Sequence, residues 1–191
     1  FLKKYFFEKK LKVLDYGAGW GNWIFSVKNN ASKFYALELS KKRISFLRKK
    51  KISVINFNTL KKLKNKIDFV RVEQVFEHID DLDETLKNLK KITKKNCIIH
   101  ISVPNSKSLF KKNFTEHLIK KGPAQPLEHL NSFTPFSLKK LLYKYSFRRI
   151  SFLSIFKIFL KDFSLNFGNF KSLVKIVYNN FNSTTLIVSK I

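Results

Sequence analysis

The sequence predicts a doubly wound α/β domain built on a mostly parallel sheet. Three observations carry this reading. Short apolar runs alternate with amphipathic stretches through the first half of the chain, a glycine-rich turn closes the first run, and turn-forming residues close the others. Strands alternating with helices in this way give a parallel sheet covered by helices on both faces.

The elements follow in order. Residues 12–15 form a strand that runs into Gly17-Ala18-Gly19-Trp20-Gly21, and residues 23–27 read as a helix that fades at Asn29-Asn30. Residues 34–39 make the second strand, and Ser40 is the expected N-cap of a helix over 41–50. A third strand spans 52–57 and a fourth 67–72; a helix over 83–93 then carries Leu86, Leu89 and Ile92 on one face. The fifth strand, 97–103, stops at Pro104-Asn105. The apolar period is lost after it, so residues 106–128 read as a long loop or a small helical cap. Pro135 opens a helix that runs to Tyr145, and 147–159 and 184–188 supply two more strands, making seven. The Phe-rich stretch between those two strands yields no clear element, and no internal repeat is visible.

Length and composition bound the class. A chain of 191 residues is one ordinary domain, and 44% hydrophobic residues with 21 Phe exclude a disordered chain despite a net charge of +26. The lone Cys97 excludes a disulfide scaffold and a cysteine-built zinc site, and it fits a cytoplasmic setting. No apolar run approaches the roughly 18 residues of a membrane span, and no signal peptide is expected. The chain does not begin with Met, so an upstream piece is expected to be missing. The cations are 34 Lys and 5 Arg spread along the whole chain. Lys is a hydrated point charge without the guanidinium fork that grips phosphates. Compositional drift towards Lys is therefore the first reading, and an anionic partner the second.

The turn after the first strand carries chemistry. Glycines let the chain bend sharply and let a ligand lie against the main chain, while the helix start beyond offers unpaired N–H groups. The spacing is G-x-G-x-G with Asn22 at the sixth position, which departs from the dinucleotide loop, and no Gly-Lys-Ser/Thr follows to make a P-loop. Glu38 ends the second strand at the distance where a carboxylate accepts both ribose hydroxyls. A plain turn and a solvated strand end are the bland alternatives.

Val13-Leu14-Asp15-Tyr16-Gly17-Ala18-Gly19-Trp20-Gly21 with Glu38 resembles the cofactor motif of class I S-adenosylmethionine methyltransferases. Gln74-Val75-Phe76-Glu77-His78, Ser102-Val103-Pro104-Asn105 and Glu128-His129-Leu130-Asn131 are similar to runs in the branch known as methyltransferase domain family 23. The resemblance covers most of the chain. It implies a Rossmann-like, seven-stranded fold forming a single domain, with 106–131 as an acceptor-side lid. It also implies S-adenosyl-L-methionine as cofactor, with Gly17, Gly19 and Gly21 along its methionine part and Asp15 fixing the loop. Glu38 would take the ribose, Asn58 in the Asn56-Phe57-Asn58 turn the adenine, and Gln74 the sulfonium side. Asn58 stands where the family usually carries an acid.

Methyl transfer needs alignment, and a base when the nucleophile is a hydroxyl. His78 is the candidate base, with Glu77 to orient it or bind substrate. A structural Glu-His turn remains the alternative. His129 is a second candidate, equally readable as a loop histidine. His117 has a weak case, and His100 reads as a sheet residue. In ubiquinone-pathway and small-RNA O-methyltransferases the matching run is Glu-x-x-Glu-His and holds a divalent metal. Gln74 replaces the first Glu here, and a neutral amide is the poorer ligand for a hard cation, so no metal is expected. No Asn/Asp-Pro-Pro-Tyr run is present, which disfavours methylation of a planar amino group. By the resemblance, the expected acceptor is a small molecule, an oxygen on a glycan, quinone-like or lipid-linked metabolite. RNA is the second expectation and a non-catalytic binding module the third.

Overall fold

A computed structural model of the chain describes residues 11–27, 33–107, 128–150 and 185–190. A sheet of seven strands runs through them in the order β3-β2-β1-β4-β5-β7-β6. These are β1 (Lys12–Tyr16), β2 (Lys33–Leu37), β3 (Ser53–Ile55), β4 (Ile67–Glu73), β5 (Thr93–Ser102), β6 (Phe147–Arg149) and β7 (Thr185–Lys190). The first five pair in parallel, and β7 is antiparallel to both β5 and β6. The helices are α1 (Asn22–Val27), α2 (Lys41–Lys49), α3 (Phe57–Lys61), α4 (Leu82–Ile92) and α5 (Pro135–Lys144), with a 3-10 turn at Phe76–His78. The expected fold class is the observed one.

Both faces of the sheet are covered. Leu60 of α3, Leu86, Leu89 and Ile92 of α4, and Leu138 and Leu142 of α5 pack on the face that carries Leu14, Val70, Val72 and Ile99. Ile24 of α1 and Leu47 of α2 pack on the other face against Ala36. Truncating a buried leucine such as Leu89 to alanine costs about 2–5 kcal/mol. The cap of α5 follows its sequence: Thr134 Oγ1 accepts from Ser137 N at 3.1 Å, Ser137 Oγ accepts from Thr134 N at 2.9 Å, and Pro135 sits in the first turn.

Several boundaries differ from expectation. The third strand ends at Ile55, because Asn56 Oδ1 accepts from Thr59 N at 2.8 Å and so caps a helix where 56–57 were read as strand. The second strand ends at Leu37, and the backbone N–H groups of Leu39 and Ser40 both donate to Glu38. Ser40 precedes α2 as expected, but its hydroxyl makes no capping bond. Regular pairing in β5 begins at Ile98, after an irregularity that includes Asn96 at φ 62°. Residues 151–159 of the expected sixth strand, His117 and most of the expected lid lie outside the described residues.

The winding reverses between β1 and β4: β2 and β3 lie to one side, β5 to the other. A crevice opens beyond the carboxyl ends of the strands at such a point, and it is where ligands bind in open α/β sheets.

Candidate functional site

The glycine turn lies at this switch point. Gly17 N and Ala18 N both donate to Leu37 O, at 2.9 and 3.0 Å, which ties the turn to the end of β2. Gly17 has φ +80°, and a Cβ there would overlap Cγ2 of Val75, the residue after Gln74 at the end of β4. Gly19 has φ +58° with open space around the missing Cβ, so its backbone is approachable. Gly21 completes the turn at φ +77° against Leu47.

Glu38 locks the turn from the other side. Its Oε2 accepts from Gly19 N at 2.8 Å, and its Oε1 accepts from Leu39 N and Ser40 N, both at 2.9 Å. Arg43 stands 3.8 Å away. A carboxylate offers about four acceptor positions, so backbone donors take three and about one remains for a ligand hydroxyl.

A cavity of about 560 Å³ opens beside these residues, lined among others by Gly17, Glu38, Phe57, Gln74 and His78. Arg43 and Lys61 line it together with Asp80, Asp81 and Glu84, and Lys61 Nζ pairs with Glu84 Oε1 at 3.4 Å. Leu39 (74% exposed) and Phe57 (42% exposed) supply apolar surface. Gln74 reaches the lining through a left-handed backbone (φ 53°) held by a bond from its N–H to Ser102 O at 2.8 Å. Asn58 is exposed in the first turn of α3 and does not line the cavity; its neighbour Phe57 does. Trp20 stacks edge-on against Phe46 at 5.3 Å and leaves the cavity open.

Asp15 lies behind the turn, fully buried, with Oδ1 accepting from Arg71 Nη1 at 3.0 Å. Burial raises its carboxyl above the ordinary range, and Arg71 offsets part of that rise.

The Glu77, His78 and His129 expectations converge in space. Their potential ligand atoms lie within 4.8 Å of one another, and the two imidazole rings meet edge-to-face at 4.9 Å. The backbone explains the meeting. Asn131 N donates to Glu77 O at 3.0 Å, Asn131 Nδ2 donates to Phe76 O and Ile79 O at 3.1 and 2.5 Å, and His78 Nδ1 bonds Glu128 O at 2.7 Å. With Nδ1 donating to that carbonyl, His78 Nε2 is the nitrogen left as acceptor. Glu77 is 1% exposed, and neither carboxylate oxygen has a hydrogen-bond partner among the described residues. Burial raises its carboxyl, against the pull of the two histidines. The three side chains can share a proton, or they can hold a divalent ion.

Sequence reasoning missed Arg71 and the packing of Val75 against Gly17, neither of which leaves a local signal. Asn131 entered only as part of a resembling run.

A methyltransferase domain family profile matches residues 1–151. No curated protein matches the sequence. Among solved structures, the chain is similar to a SAM-dependent methyltransferase from Archaeoglobus fulgidus (18% identity, TM-score 0.60, 99% of this chain and 91% of that one). It is similar also to a SAM-dependent methyltransferase from Aquifex aeolicus (18%, 0.57, 78% and 79%) and to an S-adenosylmethionine-dependent methyltransferase from Mesorhizobium loti (12%, 0.57, 94% and 90%). These likenesses describe the fold.

Proposed function

The chain belongs to the methyltransferase domain family, and on that premise we propose that it transfers a methyl group from S-adenosylmethionine to an oxygen of a small acceptor. The site residues fit this donor. The open backbone at Gly19 suits close main-chain contact, the remaining acceptor position of Glu38 suits a ribose hydroxyl, and Leu39 and Phe57 offer apolar surface to a flat base. Asp80 and Asp81 in the lining suit a ligand that carries a positive group. Bound there, the cofactor supplies a methyl carbon already activated by its sulfonium.

The protein's share is then alignment and proton removal. His78, oriented by the Glu128 carbonyl, has Nε2 available to take the acceptor's hydroxyl proton. Glu77 and His129 stabilise the imidazolium that results. The acceptor class, a glycan, quinone-like or lipid-linked metabolite, draws support from Glu73-Gln74-Val75-Phe76 standing where amino-group methyltransferases carry their Pro-Pro run.

The observation that carries the reading is the Glu38–Gly19 bond, which joins the two halves of the cofactor motif in one cradle. Calorimetry with S-adenosylhomocysteine tests it. Glu38→Ala removes the ribose acceptor and frees the turn, so affinity is expected to fall at least tenfold, the effect of about 1.4 kcal/mol. Unchanged affinity rejects the site.

Two observations favour second readings. The 4.8 Å clustering around a buried Glu77, whose carboxylate has no hydrogen-bond partner among the described residues, suits a metal-assisted transfer. Under the base reading, dialysis against a chelator leaves turnover intact; loss restored by a divalent ion selects the metal. Eleven Lys and Arg side chains between residues 39 and 67, all exposed and with no acid among them, suit an RNA acceptor.

A further inference from the structure

Asn131 spends three hydrogen bonds on the carbonyls of one short turn. Its backbone N–H donates to Glu77 O at 3.0 Å, and its side-chain Nδ2 donates to Phe76 O at 3.1 Å and to Ile79 O at 2.5 Å. The 3-10 turn Phe76–His78 is too short to satisfy its own carbonyls, and these are the acceptors such an end leaves open. Two carbonyl oxygens facing one side-chain atom demand a donor with two hydrogens, so the amide nitrogen must stand there.

The turn held in this way carries His78, and the loop that holds it carries Glu128 and His129. His78 Nδ1 meets Glu128 O at 2.7 Å, three residues before Asn131. Beyond Asn131 the loop is fixed by other means: Ser106 N donates to Phe133 O at 2.8 Å, Phe133 is buried, and Thr134 caps α5. Before it, Leu130 is 62% exposed and adds little packing. The register between Glu128 and His78 therefore depends on the three bonds of Asn131.

Resting on the methyl-transfer reading, we propose that Asn131 is a positioning residue: by stapling the 128–131 loop to the Phe76–His78 turn, it keeps the Glu128 carbonyl on His78 Nδ1 and leaves the Nε2 lone pair to accept the substrate's proton. A neutral imidazole has one N–H and one lone pair, and the partner of one nitrogen decides which is which. Without the staple the carbonyl leaves Nδ1, the two tautomers mix, and Nε2 carries the hydrogen in part of the molecules. The effect runs from an amide through a backbone carbonyl to the ring, and Asn131 itself touches no substrate.

Long-range 1H–15N spectra of the imidazole nitrogens read the tautomer directly. They are taken on the full chain with a chelator present, at a pH raised until the ring signals stop changing, and His78→Gln identifies the His78 signals among those of four histidines. Wild-type His78 is expected almost wholly in the Nδ1–H form. Asn131→Asp matches the shape but sets an oxygen against the two carbonyls, and is expected to lower that form to about half or less. A merely structural Asn131 would lower the melting temperature and leave the tautomer unchanged, and that result overturns the proposal. So does a wild-type His78 in the Nε2–H form. Should Asn131→Asp not fold, Asn131→Ser, whose hydroxyl can serve only one of the carbonyls, is read in its place by the same rule. A wild type that fails to bind S-adenosylhomocysteine in calorimetry refutes the methyl-transfer reading beneath, while the tautomer still judges the staple.

Discussion

Glu77 is a carboxylate held in an apolar turn with two histidines for company. Burial raises its folded-state pKa above the unfolded value, so the folded chain binds the proton more tightly. Its stabilising contribution is therefore complete below the unfolded pKa and is lost as pH rises through the raised folded value. In metal-free protein, Glu77→Gln is expected to melt a few degrees higher than wild type at pH 8, the shift that about 1 kcal/mol produces at this length, with the gain vanishing towards pH 4. A gain that is equal at both pH values contradicts the burial argument. At this scale the sequence was uneven to read. Glu38 was legible as a position, because it closes the second strand one crossover after the glycine turn; its bond to Gly19 N was not. Asn58 entered by resemblance alone; it stands exposed in the helix that begins at Phe57, and the phenyl ring beside it lines the cavity.

Among the elements, the junction between β1 and α1 is the most constrained. Gly17→Ala combines a left-handed backbone with overlap against Val75, a stiff β-branched side chain, and is expected to cost about 2–4 kcal/mol. Gly19→Ala meets the backbone penalty alone, about 1 kcal/mol, because the space around it is open. Urea denaturation of both variants checks the ranking; a larger loss at Gly19 refutes the packing account. Periodicity located every helix on which the site depends except α3. That helix hid because four of the six residues 52–57 are apolar, and a run of that kind looks the same whether it continues as a strand or is cut by a capping Asn56. The meeting of Glu77, His78 and His129 could not be computed from spacing either. About fifty residues separate the two histidines, and they are joined by backbone bonds from Asn131 and Glu128 that no local pattern announces.

For the whole molecule, charge is less evenly spread than the composition suggests. Six of the thirteen acidic residues fall between 73 and 84 with no Lys or Arg among them, while residues 39 to 67 carry cations only. The cavity lies where the two regions meet. With a small acceptor, raising salt from about 50 to 200 mM is expected to change the acceptor KM by less than about threefold, since few counterions are released. An RNA acceptor neutralised by six or more phosphate contacts predicts a loss of about a thousandfold over the same range, so a salt titration of KM decides between them. The fold class was legible at this scale because alternation of strands and helices leaves few arrangements. The charge division was countable but was obscured by lysines along the entire chain.

The position of β7 has a consequence for how the chain assembles. β6 precedes it in sequence yet bonds only to it, and β5 waits for it on its open side. During synthesis the parallel half of the sheet, with its glycine turn and its carboxylate latch, can close while the ribosome is still adding the remainder. The outer pair must stay unzipped until the latecomer threads between its neighbours, a long-range pairing of the slow kind. Competence to grip a nucleoside is thus expected to precede completion of the sheet, and the exposed flank of β5 is the place where a chaperone would be needed in the interval.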